Sequence, residues 1–318
     1  SEWSAGPPRE ANQADIEILG ESASFPSGVS NALALRHMSW CGRDQLRSVP
    51  SSRWDVEHAV SDVHDSPREV ASRVRHGGFL CDAQLFENGC FGISAAEASA
   101  MDPQQRQLLE RGYAALHAAG LSRGMLLGSG VAVDVGQWAS DFGSVLSQSP
   151  AGRSVYASTG FSCSVTCGRV SFVLGLQGPC ASHDTACSAS LVGSHSSMRA
   201  LQHLECESAL SAGVNMIMDP VVMRGNAVAG FTSVKGRSHT FDSRADGYAR
   251  GESIGALALG RGDDGGASLL GSAVRQDGKS ASLTAPNGQA QQGLLAAALA
   301  DASAAADELA LFDAHGTG

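Results

Sequence analysis

Two short stretches hold residue types able to do covalent chemistry together. The first is Asp184-Thr185-Ala186-Cys187-Ser188-Ala189-Ser190, which sets a cysteine between a polar turn and the first residues of a helix. At a helix start, unpaired backbone N–H groups and the helix dipole favour a thiolate, the reactive form of the side chain. Small neighbours leave room for an acyl group, so the segment reads as the cysteine form of a nucleophile elbow. The second stretch runs from Leu309 through Asp313-Ala314-His315-Gly316-Thr317-Gly318. A histidine at a strand end, flanked by glycines that let a substrate approach, is placed as an acid–base group or hydrogen-bond donor. Each feature alone also has a plainer account, a buried inert thiol and a surface-turn imidazole. Residue types by themselves leave both readings open.

Other chemistries fall away. The eight cysteines and ten histidines form no paired C-x-x-C knuckle and no H-E-x-x-H. Cys163 and Cys167 stand four apart, Cys180 and Cys187 seven apart, so reduced thiols fit better than zinc or a disulfide scaffold. No G-x-G-x-x-G follows a strand and no P-loop occurs, which removes dinucleotide and nucleotide-phosphate readings. Net charge is -10, and only Lys235 and Lys279 are lysines, so no basic run offers a nucleic acid its field. Apolar stretches break well short of the ~20 residues that cross a bilayer, which predicts no transmembrane segment. No targeting signal is legible, and cytoplasmic and organellar (plastid) settings both remain open. Glycine, at 38 of 318 residues, lacks a fixed period and points to tight turns and close backbone approaches.

The elements that must position these residues can be read from periodicity. Asp102-Pro103 opens a helix with a Leu108, Leu109, Leu116 stripe ending near Gly120. Ile16–Leu19, Val131–Val135, Ala209–Met218, Ile254–Leu259, Leu269–Val274 and Leu309–Asp313 read as strands. Residues 169–176 read as a helix-to-strand transition. Helices are predicted over 188–205, small-faced at its start for close packing, and over 290–300. Strands and helices interleave, so the class is α/β with layered packing. Residues 1–75 are the least legible, a short strand and then an irregular, solvated region.

The ordered set of motifs resembles the β-ketoacyl synthase (ketosynthase) domain of modular, type I polyketide synthases. It comprises Gly77-Gly78-Phe79-Leu80, Phe91-Gly92-Ile93-Ser94, Met101-Asp102-Pro103-Gln104-Gln105-Arg106, Gly168 to Pro179 and Asp184 to Ser190. Phe241-Asp242, Asp246-Gly247-Tyr248, Arg250-Gly251-Glu252, Asn287 and His315-Gly316-Thr317-Gly318 complete it. The resemblance implies a thiolase-like fold of α-β-α-β-α layers, with Cys187 leading the central helix of the first half. It implies a degenerate N-terminal part over 1–75, an N-terminal half with the elbow over 76–260, and the start of a C-terminal half over 261–318. Because the sequence stops within a motif, the expectation is a fragment ending at the first active-site histidine, its second half incomplete and the family's lysine and second histidine lying beyond residue 318.

By the same resemblance, Cys187 accepts an acyl chain as a thioester and His315 serves decarboxylative condensation with a malonyl-type extender. Thr317 would hold the phosphopantetheine arm, which arrives covalently on an acyl carrier protein, so no bound cofactor or metal is expected. A homodimer is implied. Asp242 and Glu252 are expected to be structural acids, with Arg250 paired to one of them. Carrier docking is expected at Arg68, Arg73 and Arg75 or at Lys235 and Arg237, because an acidic carrier meeting an acidic chain needs a local positive patch. The sequence departs from the family pattern at Gly20–Ser27, at His183 and Ala189, in Thr232–Arg237, and at Ser253, which could strain its turn. The alternatives are a non-condensing decarboxylase or acyl-transfer member, a non-catalytic dimerisation scaffold, and, less well supported, a cysteine hydrolase, which needs an oriented imidazole.

Overall fold

The computed structural model describes residues 15–61, 68–138, 141–262 and 266–316. Eight strands are present among them: β1 (Ile16–Ser24), β2 (Arg47–Ser48), β3 (His76–Gly77), β4 (Ala132–Gln137), β5 (Cys180–His183), β6 (Ser208–Asn215), β7 (Ser253–Arg261) and β8 (Ser268–Leu269). Four helices matter for the site: α1 (Pro103–Ala118), α2 (Cys163–Leu174), α3 (Ala189–Gln202) and α4 (Gly288–Ala302). Six strands form one mixed sheet in the order β5-β4-β6-β7-β1-β8, while β2 and β3 pair separately. β4 runs parallel to β5 and β6; β7 is antiparallel to both β6 and β1.

Alternation along the strands sorts side chains onto two faces. Val133, Val135, Leu210, Ala212, Val214, Ile254, Ala256 and Ala258 pack with Leu108, Leu109 and Leu116 of α1 and Cys167, Val170 and Leu174 of α2. The opposite face sets Ile16, Ala132, Ala209 and Leu259 against Met198, Ala200 and Leu201 of α3. A register shift between Ile18 and Gly20 changes the face that β1 presents. Ile16 and Ile18 therefore face α3, whereas a Cβ on Gly20 would lie 2.4 Å from Ala115 O of α1. α1 starts as its sequence predicts: Asp102 Oδ1 accepts from Gln104 N at 2.7 Å, with Pro103 in the first turn.

Most strand and helix expectations hold, and three do not. Residues 169–176 are not a transition to strand: α2 continues to Leu174 and stops at Gly175, whose φ is +75°. The strand expected over 269–274 is only β8, because the chain leaves the sheet at Gly271, where a Cβ would meet Ala302 N at 2.3 Å. Leu309–Asp313 pairs with no strand among the described residues, and Leu311 and Phe312 are exposed. The region after β1 is also more ordered than expected, with helices Ala32–Trp40, Val56–Ser61 and Arg68–Arg73. Val49, Val70, Val74 and Phe79 join Ile217 and Met223 there in a satellite core.

The expectation of an incomplete second half is corrected. Residues 266–302 fold onto the first half: β8 pairs with β1, and Arg199 of α3 meets Asp301 of α4 at 2.7 Å. Ser272 binds α3 as well, its hydroxyl 2.8 Å from His195 Nδ1 and its carbonyl accepting from Arg199 at 2.9 Å. α3 thus lies between the sheet and this C-terminal region. The position of a motif in the sequence carried no information about that docking, which is why the sequence reading failed here.

Backbone approaches backbone very closely where α3 meets the sheet. A Cβ on Gly136 would lie 2.3 Å from Ser190 N and 2.4 Å from Ala189 C, and one on Gly213 would lie 2.6 Å from Ser190 Cβ. Gly136→Ala is expected to lower unfolding free energy by about 1–3 kcal/mol, since backbone cannot step aside. Gly143→Ala, whose Cβ would meet only Phe161 ring atoms at 3.4 Å, should be neutral or slightly stabilising. Urea denaturation of the two variants against the parent protein measures the contrast.

Candidate active site

Cys187 sits at the head of α3 in a tight turn that the sequence builds from small polar residues. A single helical turn, Ala186–Ser188, leads directly into α3. Ala186 holds φ at +55°, in the left-handed region that an L-residue with a Cβ adopts at a cost. Asp184 Oδ1 accepts from Ala186 N at 3.2 Å, and Ser188 Oγ bonds Thr185 O at 3.0 Å and Thr185 Oγ1 at 2.8 Å. These bonds close the turn around the cysteine and leave its thiol exposed and free. No side-chain hydrogen bond to Cys187 is present among the described residues, so its sulfur is unencumbered for attack.

Beneath the turn, a buried polar bridge fixes α3 over the sheet. Asp134 of β4 holds His183 Nε2 at 2.8 Å through Oδ1 and accepts from Ser197 Oγ at 2.7 Å through Oδ2. Ser194 and Ser211 hydroxyls meet at 2.9 Å one turn earlier. The imidazole that departs from the family pattern, in the strand leading to the elbow, is thus held by a carboxylate of the neighbouring strand β4.

On the far side of the cysteine lies the segment 231–250. Tyr248 is near enough for its phenol to feel the Cys187 charge; burial raises its pKa first, with Arg250 opposing and Cys187 adding. Arg250 is buried and stacks on Trp138 at 5.1 Å from the ring centroid, with Nη1 unpaired. Burial lowers its pKa, and the nearby Asp141, Tyr248 and Glu252 only partly offset this. The expected pairing of Arg250 with Asp242 or Glu252 is not formed. Glu252 is instead a buried hub: Arg53 reaches it at 2.8 Å, and it accepts from Leu80 N at 2.8 Å and Ile217 N at 2.9 Å. Asp242 is held by Arg244 at 2.7 and 2.9 Å, which depresses its carboxyl below the usual range. Ser253 begins β7 as paired strand, opposite Asn215 and without a positive φ, so the substitution imposes no turn strain.

His315 is exposed, on a turn anchored where the Thr240 hydroxyl donates to Gly316 O. Gly316 has φ +57°, and a Cβ there would sit 3.0 Å from Thr240 Cγ2. Segment 231–250 therefore carries both the residue that senses Cys187 and the residue that ties down the His315 turn. No hydrogen bond joins His315 to Cys187 among the described residues, and Thr317 lies outside them. Among those residues, no cluster of three or more His, Cys, Asp or Glu is arranged for a metal, and no helix is long and apolar enough to cross a membrane.

The expected basic docking patch is largely committed inside the chain. Arg237 contacts Asp44 at 2.5 Å, Arg75 pairs with Glu57 at 2.6 Å, and Arg73 donates to Gly230 O at 3.3 Å and to Thr232 O. The Arg68 side chain lies outside the described ones. Sequence reasoning assigned no role to Trp138, Tyr248 or Ala186. Tyr248 stood within a quoted motif, and the small residue before the cysteine was the one available sign of the turn.

The β-ketoacyl synthase N-terminal domain family matches residues 13–265, and the β-ketoacyl synthase C-terminal domain family matches residues 266–318. The adjoining matches overturn the expectation of a fragment ending at the first histidine with its second half missing: the C-terminal domain is represented, beginning where the chain leaves β7. Among curated proteins, the chain is 40% identical over 311 residues to polyketide synthase GfsB of Streptomyces halstedii, covering 95% of this chain and 6% of that protein. It is 42% identical over 310 residues to the phenolphthiocerol synthesis polyketide synthase type I Pks15/1 of Mycobacterium bovis, covering 95% of this chain and 14% of that protein. The chain thus spans a small part of the length of these relatives. Among solved structures, the ketosynthase domain OzmH KS7 for oxazolomycin from Streptomyces albus JA3453 superposes with a TM-score of 0.87 at 32% identity, covering 96% of this chain and 54% of that one. The ketosynthase from module 6 of the bacillaene synthase of Bacillus subtilis 168 gives 0.76 at 31% identity, covering 88% and 47%.

The left-handed Ala186 offers a test of the elbow. Ala186→Gly should raise the unfolding midpoint and Ala186→Val should lower it, because an L side chain in this region costs about 1–2 kcal/mol and β-branching adds to it. Thermal denaturation of both variants checks the sign.

Proposed function

The chain belongs to the β-ketoacyl synthase family, and on that premise we propose that it catalyses acyl transfer to Cys187 followed by decarboxylative condensation in polyketide or fatty acid biosynthesis. The observation that carries the proposal is an exposed, unencumbered thiol on a left-handed turn at the head of a long helix. In the first step the Cys187 thiolate attacks the carbonyl of an acyl thioester. A tetrahedral oxyanion forms, the carrier thiolate departs and takes up a proton, and the acyl chain remains on Cys187. The backbone N–H of Cys187 is the oxyanion donor this chain supplies at the turn.

In the second step a malonyl-type thioester loses carbon dioxide, and the electrons of the broken C–C bond pass to the thioester oxygen as an enolate. His315 donates a hydrogen bond where that charge grows. The enolate carbon then attacks the acyl thioester, and Cys187 leaves as thiolate, ready for the next acyl group. The substrates arrive on the phosphopantetheine arm of an acyl carrier protein, near which Thr317 is assigned. The protein works as a homodimer.

Loading and condensation separate the two residues. Cys187→Ala should abolish formation of the acyl-enzyme seen by intact-protein mass spectrometry. His315→Ala should keep acyl loading and slow condensation by about 10²-fold or more, the scale of one lost positioned donor. Equal loss of both steps in the His315 variant would reject its assigned role.

A further inference from the structure

One carboxylate holds both ends of the stretch that carries Cys187. His183 is the last residue of β5, and Ser197 lies well inside α3. Asp134 Oδ1 accepts from His183 Nε2 at 2.8 Å, and Oδ2 accepts from Ser197 Oγ at 2.7 Å. A carboxylate only accepts, so the imidazole presents Nε2 with its hydrogen. In the ladder between β4 and β5, Gly136 stands opposite His183 and Asp134 opposite Ala181, which puts all four on the face that α3 covers. Gly193 of α3 lies over the pair: a Cβ there would sit 3.5 Å from His183 Cδ2 and 3.7 Å from Asp134 Cβ. Asp134 and Ser197 are buried, and the His183 side chain is 18% exposed. The bridge therefore works inside the fold and needs no solvent access at the β5 edge.

We infer that His183 is a positioning residue for acyl loading: its bond to Asp134 holds the end of β5 so that the next turn presents the Cys187 thiol and backbone N–H together. The inference rests on the ketosynthase reaction proposed above. No hydrogen bond joins His183 to Cys187 among the described residues, so His183 acts through the turn. Asp184 follows it directly and accepts from Ala186 N at 3.2 Å, and Ala186 holds φ at +55° just before the cysteine. A left-handed residue with a Cβ persists only where its flanks fix it. The helix flank is fixed by Ser190 over Gly136 and Gly213 and by Ser197 on Asp134. The strand flank has less: within the chain, β5 pairs on one side only, with β4. His183 supplies the missing anchor, and it gives the buried carboxylate a donor for its second oxygen. Because His183 departs from the family pattern, the family's own residues assign it no role.

Loading asks two groups of one residue to meet a single carbonyl. The sulfur attacks the carbon while the N–H faces the oxygen on which charge develops. Misplacement by about 1 Å can cost about 10²-fold in such a step. Alkylation of the same sulfur by iodoacetamide forms no oxyanion, so it needs the thiol and not the N–H. A displaced turn therefore slows loading far more than alkylation. It lowers the saturating rate rather than the affinity for the acyl thioester, because the lost contact is made in the transition state.

The test compares His183→Gln, His183→Asn and His183→Val with the parent protein. Glutamine carries an amide N–H about as far from Cα as Nε2 and keeps the bond to Asp134. Asparagine fits the same space but stops a bond short, and valine has no donor. Loading from acetyl, propionyl and hexanoyl thioesters of N-acetylcysteamine is followed by intact-protein mass spectrometry across concentration, and Cys187 alkylation by peptide mass spectrometry. The asparagine and valine variants should load about 10–100-fold more slowly at saturation, with KM and alkylation rate within about 3-fold of the parent. His183→Gln should stay within about 3-fold of the parent throughout. Circular dichroism checks folding, and where the valine variant fails to fold, asparagine against glutamine decides. Full-speed loading by His183→Asn in a parent that loads overturns the positioning role and leaves the ketosynthase reading standing. So does an equal loss in His183→Gln, a loss confined to KM, or one that alkylation shares. A parent that takes up no acyl group overturns the ketosynthase reading and this inference with it.

Discussion

The contact on which the rest of the structure depends is the seat of α3 on the sheet. Ser190, one turn past the reactive cysteine, lies directly over Gly136 of β4 and Gly213 of β6, with no room for a Cβ on either strand. A helix at ordinary distance from a sheet would put its first turn too high to meet the end of β5 through the five residues 184–188. Glycine on two neighbouring strands lowers it, and the short connection then has to pass through a left-handed residue, Ala186. The strain at that residue and the exposure of Cys187 are consequences of this single close approach. Asp134 reinforces it by holding Ser197 from the helix and His183 from the strand at once.

A second constraint is the satisfaction of backbone donors just past β6. Here the chain leaves the ladder inside the protein, and buried N–H groups without acceptors are costly. Gln104 Oε1 takes Met216 N at 3.2 Å, Glu252 takes Ile217 N at 2.9 Å, and Asp141 Oδ2 takes Met218 N at 3.2 Å. Three side chains from three parts of the sequence thus act as a substitute strand. Glu252 carries a charge into the interior for this purpose, and Arg53 compensates it from the N-terminal region. That pairing binds the region around Arg53 to the site, although it contributes no reacting group.

The sequence by itself determined the elements whose signals are local. The Asp102 cap, the proline after it and the leucine stripe placed α1 almost to the residue, and β4, β6, β7, α3 and α4 followed from their apolar runs. The turn before α3 was legible from its small and polar residues, but those residue types left open whether Cys187 is a nucleophile or an inert thiol. Family resemblance rested on the order of many such short signals. Only the tertiary structure decided which groups meet across long separations. Arg53 rather than Arg250 pairs with Glu252, 199 residues away, because the guanidinium of Arg250 is turned onto Trp138. The C-terminal region docks through Arg199 to Asp301, a pairing that neither residue's neighbours announce. A residue's sequence neighbours specify its backbone preference and its face, since those depend on spacing of a few residues; its partner depends on how sheets and helices are stacked, which no short window contains.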